Sequence, residues 1–576
     1  MKATRILVVS ILVLVAALLI SSTALAGGPP SSDDGKIKVK VATRGGPLHG
    51  ANGLCFGPDG NLYIASVMGR EIVVMDPDDG QILDRIGPEY AAGMPDDLIF
   101  GPDGALYWTA IWTGDVMKRA PGGTPESIAN LGPGVNAITF SEDGRLFVAR
   151  DFFGTGLYEV DPNGVNPPRV ILPDVVNLNG FDFGPDGLLY GPLFGQEIVR
   201  VDVDAATIET VSDFPGGAVK FDSQGRLHAV AQDTGQVARI DTETGAIDVI
   251  ATLNDGLDNL AFDAHDRLFV SNADDGDIVE VMKHGRARTV SPGGLIVASG
   301  VAIAPGAPGE ESVWVADYWS LRHYTGHSGR LLSQQRASVI GSRIQPFTLA
   351  MDGDRAIVSS WVLNAVQVWD PTTGDILAHY PIPNIPMNAI PFQGDLVIAE
   401  LMSGQVVRMT PSGDSAPIGQ LAVPVGLAAT DDDLWVGDFW MGAVFQVVQD
   451  GALLDPPSLV ASGLAGPEGL AVGQDGDLLV VESAAGRLSQ IELATGEART
   501  LVEGLQFLPA TPADVPTLSF NGVAVAPSGA IYLAEDGTNT LYRSTVLPEN
   551  ESAVPRAPVR GTAPLSSVVG GKSCYF

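Results

Sequence analysis

Oxygen-bearing side chains recur at one position of a phrase that the sequence repeats. In the first half of the chain this position reads Asn52, Asp96, Asn136, Asn179, Gly217 and Asp258. Carboxylate and amide oxygens are the ligands that a hard divalent cation takes from proteins, and Ca²⁺ is the ion that suits this set best. If the fold brings these residues together, they predict a divalent-cation site. The alternative is that Asn and Asp cap the turn that leads into each strand.

The same position in the second half of the chain is less uniform. It reads Ser299, Phe347, Asn388, Val425, Glu468 and Asn521. Its oxygen-bearing members are candidates for a second cation site. A second set of polar residues ends the following strand and reads Asp317, Ser360, Glu400, Asp438, Glu482 and Glu535. Aromatic neighbours such as Tyr318 and Trp319 accompany them, so this set could hold a ligand or could serve only for packing between repeats.

Three residues are candidates for acid–base chemistry. His49 stands in a loop, PLHG, just before Asn52. It is the histidine best placed for general acid–base work, with an ordinary loop histidine as the alternative. Asp96 or Asp258 could act as the base that activates a water. Only one pair of histidines, His323 and His327, has H-x-x-x-H spacing, and no third histidine stands near it, so we expect no zinc site.

The repeated phrase has the length and pattern of a propeller blade. It reads ANGLCFGPDGNLYIAS from residue 51 and PDDLIFGPDGALYWTA from residue 95, and twelve copies occur at intervals of 37 to 53 residues. Within the first copy, apolar runs and turn residues predict strands over 54–56, 62–65, 71–75 and 81–86. Four strands in a unit of about 43 residues are typical of β-propellers. The predicted fold class is all-β, with propellers in tandem.

Twelve blades divide evenly into two six-bladed rings, because propellers typically have four to eight blades. Seven plus five is the alternative. The predicted domains are a leader over 27–36, a first ring over 37–285, a second ring over 286–547 and a Pro/Gly-rich tail over 548–576. To close the rings, we expect Ile37–Ala42 to be the outer strand of the sixth blade. Ala287–Val290 would then complete the twelfth blade.

The first 26 residues have the parts of a secretory signal peptide. Lys2 and Arg5 precede an apolar run from Ile6 to Ile20, and Ala24-Leu25-Ala26 follows. An uncleaved anchor is the alternative, although the run is short for a bilayer. We therefore expect a secreted or periplasmic protein with no membrane span after cleavage.

The charge balance narrows the class of partner. The chain has 576 residues, with 33 Lys+Arg against 68 Asp+Glu and a net charge of −35. Such an acidic chain is unsuited to nucleic acid or to an anionic membrane surface, since both attract basic patches. We expect a monomer whose ligand is a small neutral or cationic molecule, or a protein or polysaccharide partner.

The repeats resemble the SMP-30/gluconolactonase/LRE-like family. The resemblance lies in Asn52-Gly53-Leu54, Asn179-Gly180-Phe181 and Asn521-Gly522-Val523, and in the openings Pro95-Asp96-Asp97 and Pro467-Glu468-Gly469. The units are also similar to NHL repeats and to streptogramin-lyase propellers. The family implies six-bladed propellers with a divalent metal at the channel mouth. It implies as ligands Asn52, Asp96, Asn179 and Asp258 in the first ring, and Glu468 and Asn521 in the second.

Two functions of different class follow from these observations. The first is a metal-dependent hydrolase that opens a lactone or similar ester, as the clustered oxygen ligands suggest. The second is a non-catalytic extracytoplasmic propeller that presents its faces to a partner, as the doubled ring suggests. A streptogramin-type lyase is a third option.

Overall fold

The computed structural model describes residues 30–32, 37–87, 93–304, 310–338, 341–508 and 519–546. The predicted signal peptide and the C-terminal tail lie outside these residues, so secretion stays a prediction. Almost all regular structure in the described part is β-strand, with two short 3₁₀ helices at Lys283–Gly285 and Ser483–Ala485. Across the described ranges, no helix has the length and hydrophobicity needed to cross a membrane.

The first six repeats each form one four-stranded antiparallel sheet, with strands β2 to β25 in chain order. The strands of blades 1 to 3 are Leu54–Phe56, Leu62–Ser66, Glu71–Met75, Ile82–Ile86; Pro95–Phe100, Leu106–Ala110, Asp115–Arg119, Glu126–Asn130; and Val135–Phe140, Leu146–Arg150, Leu157–Val160, Arg169–Leu172. Those of blades 4 to 6 are Asp182–Phe183, Leu189–Leu193, Glu197–Asp202, Thr207–Ser212; Ala218–Phe221, Leu227–Val230, Gln236–Ile240, Ile247–Thr252; and Leu257–Phe262, Leu268–Asn272, Ile278–Val281, Ala287–Ser291.

The last six repeats form six further sheets, with strands β26 to β48 and the N-terminal strand β1. Blades 7 to 9 comprise Val301–Ala304, Ser312–Asp317, Ser320–Thr325, Leu331–Arg336; Thr348–Asp352, Arg355–Ser360, Ala365–Trp369, Ile376–Pro381; and Pro386–Phe392, Asp395–Glu400, Gln405–Met409, Ser415–Gln420. Blades 10 to 12 comprise Pro424–Ala429, Leu434–Asp438, Ala443–Gln449, Ala452–Ser462; Pro467–Val472, Leu478–Glu482, Arg487–Ile491, Ala498–Glu503; and Val523–Val525, Ile531–Glu535, Thr540–Val546 with β1, Ile37–Arg44.

The innermost strands contact one another in two closed cycles. In the first cycle β2, β6, β10, β14, β18 and β22 are neighbours in that order, and β22 returns to β2. In the second, β26, β30, β34, β38, β42 and β46 do the same. Buried clusters join the end blades of each cycle, with Leu54 against Phe269 in one and Val313 against Tyr532 in the other. The chain is therefore a tandem of two six-bladed propellers, ring one and ring two.

The predicted closure of the rings is wrong. The N-terminal strand pairs antiparallel with β48 of blade 12, with Val39 opposite Ser544. Ala287–Ser291 pairs instead with β24 and completes blade 6. Ring one is thus built from one continuous stretch of chain, and the N-terminal strand belongs to ring two. The alternating pattern of a strand shows which of its faces is buried, but it does not show with which neighbouring strand it pairs. The two outer strands have similar patterns, so their sequences did not distinguish blade 6 from blade 12.

We expect the packed face of β1 to stabilise ring two. Val39 packs against a buried cluster of blades 11 and 12, whereas Val41 in the same strand is 46% exposed. Val39→Asp should lower the melting temperature by about 5 °C more than Val41→Asp, since only the first buries an unpaired charge. Differential scanning calorimetry of the two variants measures this. Equal melting temperatures would contradict the assignment of β1 to ring two.

The two rings face each other through the ends of their inner strands. A buried apolar cluster combines ring-one loops with ring two, and includes Val67, Met94 and Ile111 on one side and Tyr318 and Trp361 on the other. Trp112 of blade 2 stands edge-on to Trp361 of blade 8 at 5.3 Å between ring centroids. The channel mouth that carries the candidate residues of ring one is therefore directed toward ring two.

Charged groups add a second connection between the rings. The Arg322 guanidinium of blade 7 donates to Asp317 beside it and to Asp275 of blade 6, at 2.8 Å for the latter. Arg336 donates to the Asp274 and Asp255 carboxylates of ring one at 2.9 and 2.8 Å. We call this set the inter-ring ion network. It joins the last blade of ring one to the first blade of ring two.

Candidate functional site

The structure brings the five oxygen-bearing residues of ring one to a single cavity. The cavity has a volume of about 70 Å³, and Asn52, Asp96, Asn136, Asn179 and Asp258 all line it. The sequence-based grouping of these five is thus matched by their placement. The volume is small beside the roughly 300–1,000 Å³ of pockets for drug-sized ligands. It suits an ion with water or a small organic molecule, and we call it the ring-one cavity.

Hydroxyl groups of neighbouring blades fix the backbone at this mouth. Thr109 Oγ1 in blade 2 donates to the carbonyl of Asn136 in blade 3 at 2.6 Å. Ser271 Oγ in blade 6 donates to the carbonyl of Asn52 in blade 1 at 2.6 Å. Each bond joins the second strand of one blade to the inner strand of the next. The candidate side chains are therefore held by contacts between blades.

A layer of buried polar groups lies directly beneath the mouth. The Asp97 carboxylate accepts hydrogen bonds from the backbone N–H of Leu98 at 2.9 Å and of Ile138 in blade 3 at 3.3 Å. It also accepts one from Asn259 Nδ2 of blade 6 at 3.2 Å. Burial raises the pKa of Asp97, while the charge of Lys220 opposes that rise. Because its oxygens are used in these bonds, Asp97 braces the channel rather than facing a ligand.

The carboxylates at the mouth repel one another. Burial raises the pKa of Asp96 well above its usual range, and the charges of Asp258 and Asp151 raise it further. Burial also raises the pKa of Asp258 to about 7, with contributions from Asp97 and Asp274. These shifts mean that the ionised groups lack a nearby positive charge. A bound cation would supply one.

Among the described residues, Asn52 Oδ1 at the mouth is buried without a hydrogen-bond partner. The Asp151 carboxylate is also buried there, with the amide of Asn136 beside it. Buried polar atoms are normally satisfied by protein, water or an ion. In the part of the chain that the structure describes, no three His, Cys, Asp or Glu side chains form a metal site by themselves. A cation here would therefore need the Asn amides together with Asp96 and Asp258, an all-oxygen set that fits Ca²⁺ better than Zn²⁺.

Asp151 is the residue at this mouth that sequence reasoning missed. It is fully buried, and burial raises its pKa well above the usual range, with a further rise from the charge of Asp258 and a partial offset from the amide of Asn136. It comes one residue after the second strand of blade 3, where blades 1 and 2 carry Val67 and Ile111. The sequence signal for Asp151 was a carboxylate at a position where these two blades carry apolar residues.

His49 does not line the ring-one cavity. Its Nε2 lies 2.8 Å from the backbone carbonyl of Asp536 in ring two, to which it can donate. The side chain is buried, and burial lowers the pKa of His49 to about 4, assisted by the charge of Arg85. The neutral imidazole therefore connects the two rings through a hydrogen bond. This position does not support the predicted catalytic role of His49.

The burial of neutral His49 should make the protein sensitive to acid. Its pKa is about 4 in the folded state, whereas an unfolded histidine titrates near 6.5. The unfolded state therefore binds more protons between these values, and stability falls as pH drops below about 6.5. Relative to His49→Gln, the wild type should lose about 2 kcal/mol of unfolding free energy between pH 7 and 5.

Urea unfolding at each pH measures that difference. His265, whose side chain is 83% exposed, gives the control variant His265→Gln. If the unfolding free energies of wild type and His49→Gln change equally between pH 7 and 5, the imidazole does not contribute to the acid sensitivity.

The candidate residues of ring two form an internally bonded cluster. Asn521 donates to Glu468 Oε2 from its side chain and from its backbone N–H, both at 3.0 Å. Its own Oδ1 accepts from the backbone N–H of Asp536 at 3.2 Å. Burial raises the pKa of Glu468 to about 8, with Ser483 offsetting part of the rise. The Asn521 amide is thus bonded at both its nitrogen and its oxygen, whereas Glu468 Oε1 is buried with no hydrogen-bond partner among the described residues.

Ring two forms the roof of the ring-one cavity. Tyr318, Trp319 and Val362 of ring two line the cavity together with the ring-one residues. Burial, followed by the charge of Asp96, raises the pKa of the Tyr318 phenol, so the hydroxyl stays protonated. A groove of about 550 Å³ adjoins the cavity, sharing Phe194, Gln232 and Ala337 with it. We call it the inter-ring groove.

The chain is a β-propeller protein. No family model and no curated protein matches it. Among solved structures, it is similar to the extracellular domain of a protein assigned to hybrid two-component systems in B. thetaiotaomicron, at 13% identity and TM-score 0.31, covering 86% of this chain and 76% of that one. It is also similar to a gluconolactonase from Xanthomonas campestris, at 16% identity and TM-score 0.35, covering 43% of this chain and 96% of that one. Likenesses this distant say nothing about activity.

Proposed function

We propose that the ring-one cavity is the active site of a divalent-cation-dependent hydrolase that opens a lactone or similar ester, as in the SMP-30/gluconolactonase family. The observation that carries the proposal is the buried Asn52 Oδ1, which has no hydrogen-bond partner in the described part of the chain, while Asn52 lines a cavity together with Asp96 and Asp258. Buried acceptors and repelling carboxylates in one cavity are what a cation would satisfy. Ca²⁺ is the ion that this all-oxygen set suits.

The residues around the cavity have distinct parts in such a reaction. A divalent cation, when bound, polarises a carbonyl and lowers the pKa of water. Asp258, whose pKa is near 7, can accept a proton from a water in the cavity. The Asn52, Asn136 and Asn179 amides orient the oxygen atoms of the ligand. The roof of Tyr318 and Trp319 keeps bulk water away, which strengthens the electrostatic interactions inside.

Calcium binding and hydrolysis can be tested separately. After exhaustive chelation, Ca²⁺, Mg²⁺, Mn²⁺ or Zn²⁺ is added and the melting temperature is recorded, and lactone opening is followed by proton release in a pH-stat. We expect the largest upward shift and the highest rate with Ca²⁺. If no ion raises the melting temperature and none copurifies, the cation site and the hydrolase both fall.

A non-catalytic propeller is the second candidate, and it is favoured by one surface of ring two. Trp440, Met402 and Met441 are 80%, 71% and 56% exposed, which is unusual for such large apolar side chains. They follow the second strands of blades 9 and 10, on the side of ring two that bears its channel mouth. Cation binding without turnover of any lactone would support this candidate over the hydrolase.

A further inference from the structure

The ring-one cavity has two chemically different sides. Its floor is the set of carboxylates and amides at the channel mouth, whereas Ile111, Phe152 and Phe194 form ring-one walls, and Tyr318, Trp319 and Val362 form the roof. No Lys, Arg or His is among the lining residues. An anionic ligand would find no basic side chain among these residues to offset the carboxylates, and a ligand with hydroxyl groups on every side would place several of them against the apolar walls. Such unpaired hydroxyls are costly to bury.

The roof is a rigid set of aromatic rings. Tyr318 stands edge-on to Trp319 at 4.6 Å and to Phe347 at 5.1 Å between centroids. Phe347 in turn lies 5.2 Å from Trp361, which contacts Trp112 of ring one. Packed rings of this kind hold their positions because each one blocks the rotation of its neighbours. The aromatic roof is therefore a fixed part of the cavity.

Two polar groups belong to the residues of the roof, the Tyr318 hydroxyl and the Trp319 indole N–H. Trp319 Nε1 is buried and has no hydrogen-bond partner among the residues that the structure describes. An indole N–H is a donor only, and it usually finds an acceptor when it is buried. A ligand oxygen in the cavity would satisfy it.

From these observations we propose that the two rings form one composite site, in which Tyr318, Trp319 and Val362 of ring two select a small uncharged ligand with an apolar body. The polar head of this ligand faces the ring-one floor, and one of its oxygens accepts a hydrogen bond from Trp319 Nε1. The proposal rests on the proposed function for the identity of the site. It adds the substrate class, an alkyl-bearing lactone or ester in preference to a polyhydroxylated one, and it assigns selectivity to ring two.

The test compares two neutral lactones that differ in their bodies. Isothermal titration calorimetry of the full chain, with Ca²⁺ present, measures binding of γ-octalactone and of freshly dissolved D-glucono-1,5-lactone. We expect γ-octalactone to bind at least tenfold more tightly. Trp319→Phe keeps an apolar ring without the donor and should weaken γ-octalactone about three- to tenfold, the effect of one lost hydrogen bond. Val362→Thr adds a hydroxyl at constant volume and should reduce the preference between the two lactones.

Trp440→Phe is the matched control, because Trp440 belongs to ring two, is 80% exposed and does not line the cavity. It should change neither affinity. Equal or tighter binding of the gluconolactone, no binding of either lactone, or an unchanged affinity in Trp319→Phe would overturn the composite site. Selective binding of γ-octalactone without hydrolysis would uphold the composite site while contradicting the hydrolase, so the two failures are distinguishable.

Discussion

Replacing Arg322 with Met is expected to lower the free energy of unfolding by about 3–5 kcal/mol. Arg322 is 2% exposed, and its Nε donates to Asp317 Oδ2 at 2.5 Å while Nη2 donates to Asp275 Oδ1 at 2.8 Å and to the carbonyl of Asp274 at 3.0 Å. Its removal leaves the Asp317 carboxylate, which is wholly buried, without its cation. Chemical unfolding followed by intrinsic fluorescence measures the loss.

Arg355→Met provides the comparison for this variant. The Arg355 side chain is 52% exposed, and it pairs with Asp352, which is 43% exposed. Exposed pairs contribute at most about 1 kcal/mol, so this variant should stay close to wild type. Similar losses of unfolding free energy in Arg322→Met and Arg355→Met would show that the inter-ring ion network stabilises the protein no more than an exposed ion pair does.

Asp96→Asn is expected to change stability in opposite directions with and without a cation. Without one, removing a charge from the mutually repelling group should stabilise the protein at pH 8. With Ca²⁺ at about 100 times its Kd, the wild type should gain about 2.7 kcal/mol, and the variant should lose that gain together with lactone hydrolysis. Thermal melts of chelated and Ca²⁺-loaded protein measure both effects.

The pH dependence of the cation-free protein gives a second measure of the same repulsion. The pKa values of Asp96 and Asp258 are raised in the folded state, so that state binds more protons than the unfolded chain above about pH 4. The contribution of these two carboxyls to stability should therefore fall as pH rises, opposite in sign to that of His49, and the part due to Asp258 should end near its pKa of about 7. Asp96→Asn should flatten this fall.

Asp59→Asn is the control, since this exposed residue lies in the turn at the opposite end of the blade and accepts a hydrogen bond from Asn61 Nδ2 at 2.8 Å. It should leave the response to Ca²⁺ unchanged. A full Ca²⁺ shift in Asp96→Asn would remove Asp96 from the ligand set.

The blades could be predicted from sequence because each is a local unit. In the first repeat, strands over 54–56, 62–65, 71–75 and 81–86 were expected, and Leu54–Phe56, Leu62–Ser66, Glu71–Met75 and Ile82–Ile86 are found. The turn GPDG fixes this register. Gly60 has a φ of 81°, which favours glycine, and Asp59 accepts the backbone N–H of Asn61 at 3.2 Å. The grouping of the five mouth residues followed from the same repeat.

Contacts between distant parts of the chain could not be predicted from the repeat pattern. The partner of Ile37–Arg44 depends on which edge strand it reaches, and its alternating pattern suits blade 6 as well as blade 12. The aromatic residues Tyr318 and Trp319 could be recognised as a pair beside a carboxylate, but their position over ring one depends on how two rings pack. Asp151 was missed because its contacts with the mouth are electrostatic and come from the second strand of its blade.

The pairing of β1 with β48 sets an order of folding. Ring one has all its strands once residue 291 has been synthesised, so it can close while the rest of the chain is still being made. Ring two must wait for Thr540–Val546, and until then β1 remains a strand without a partner. Lys38 and Lys40 on its exposed face are the kind of residue that discourages wrong pairing during such a wait. We therefore expect the last event in folding to be the return of the chain's first strand to its final one.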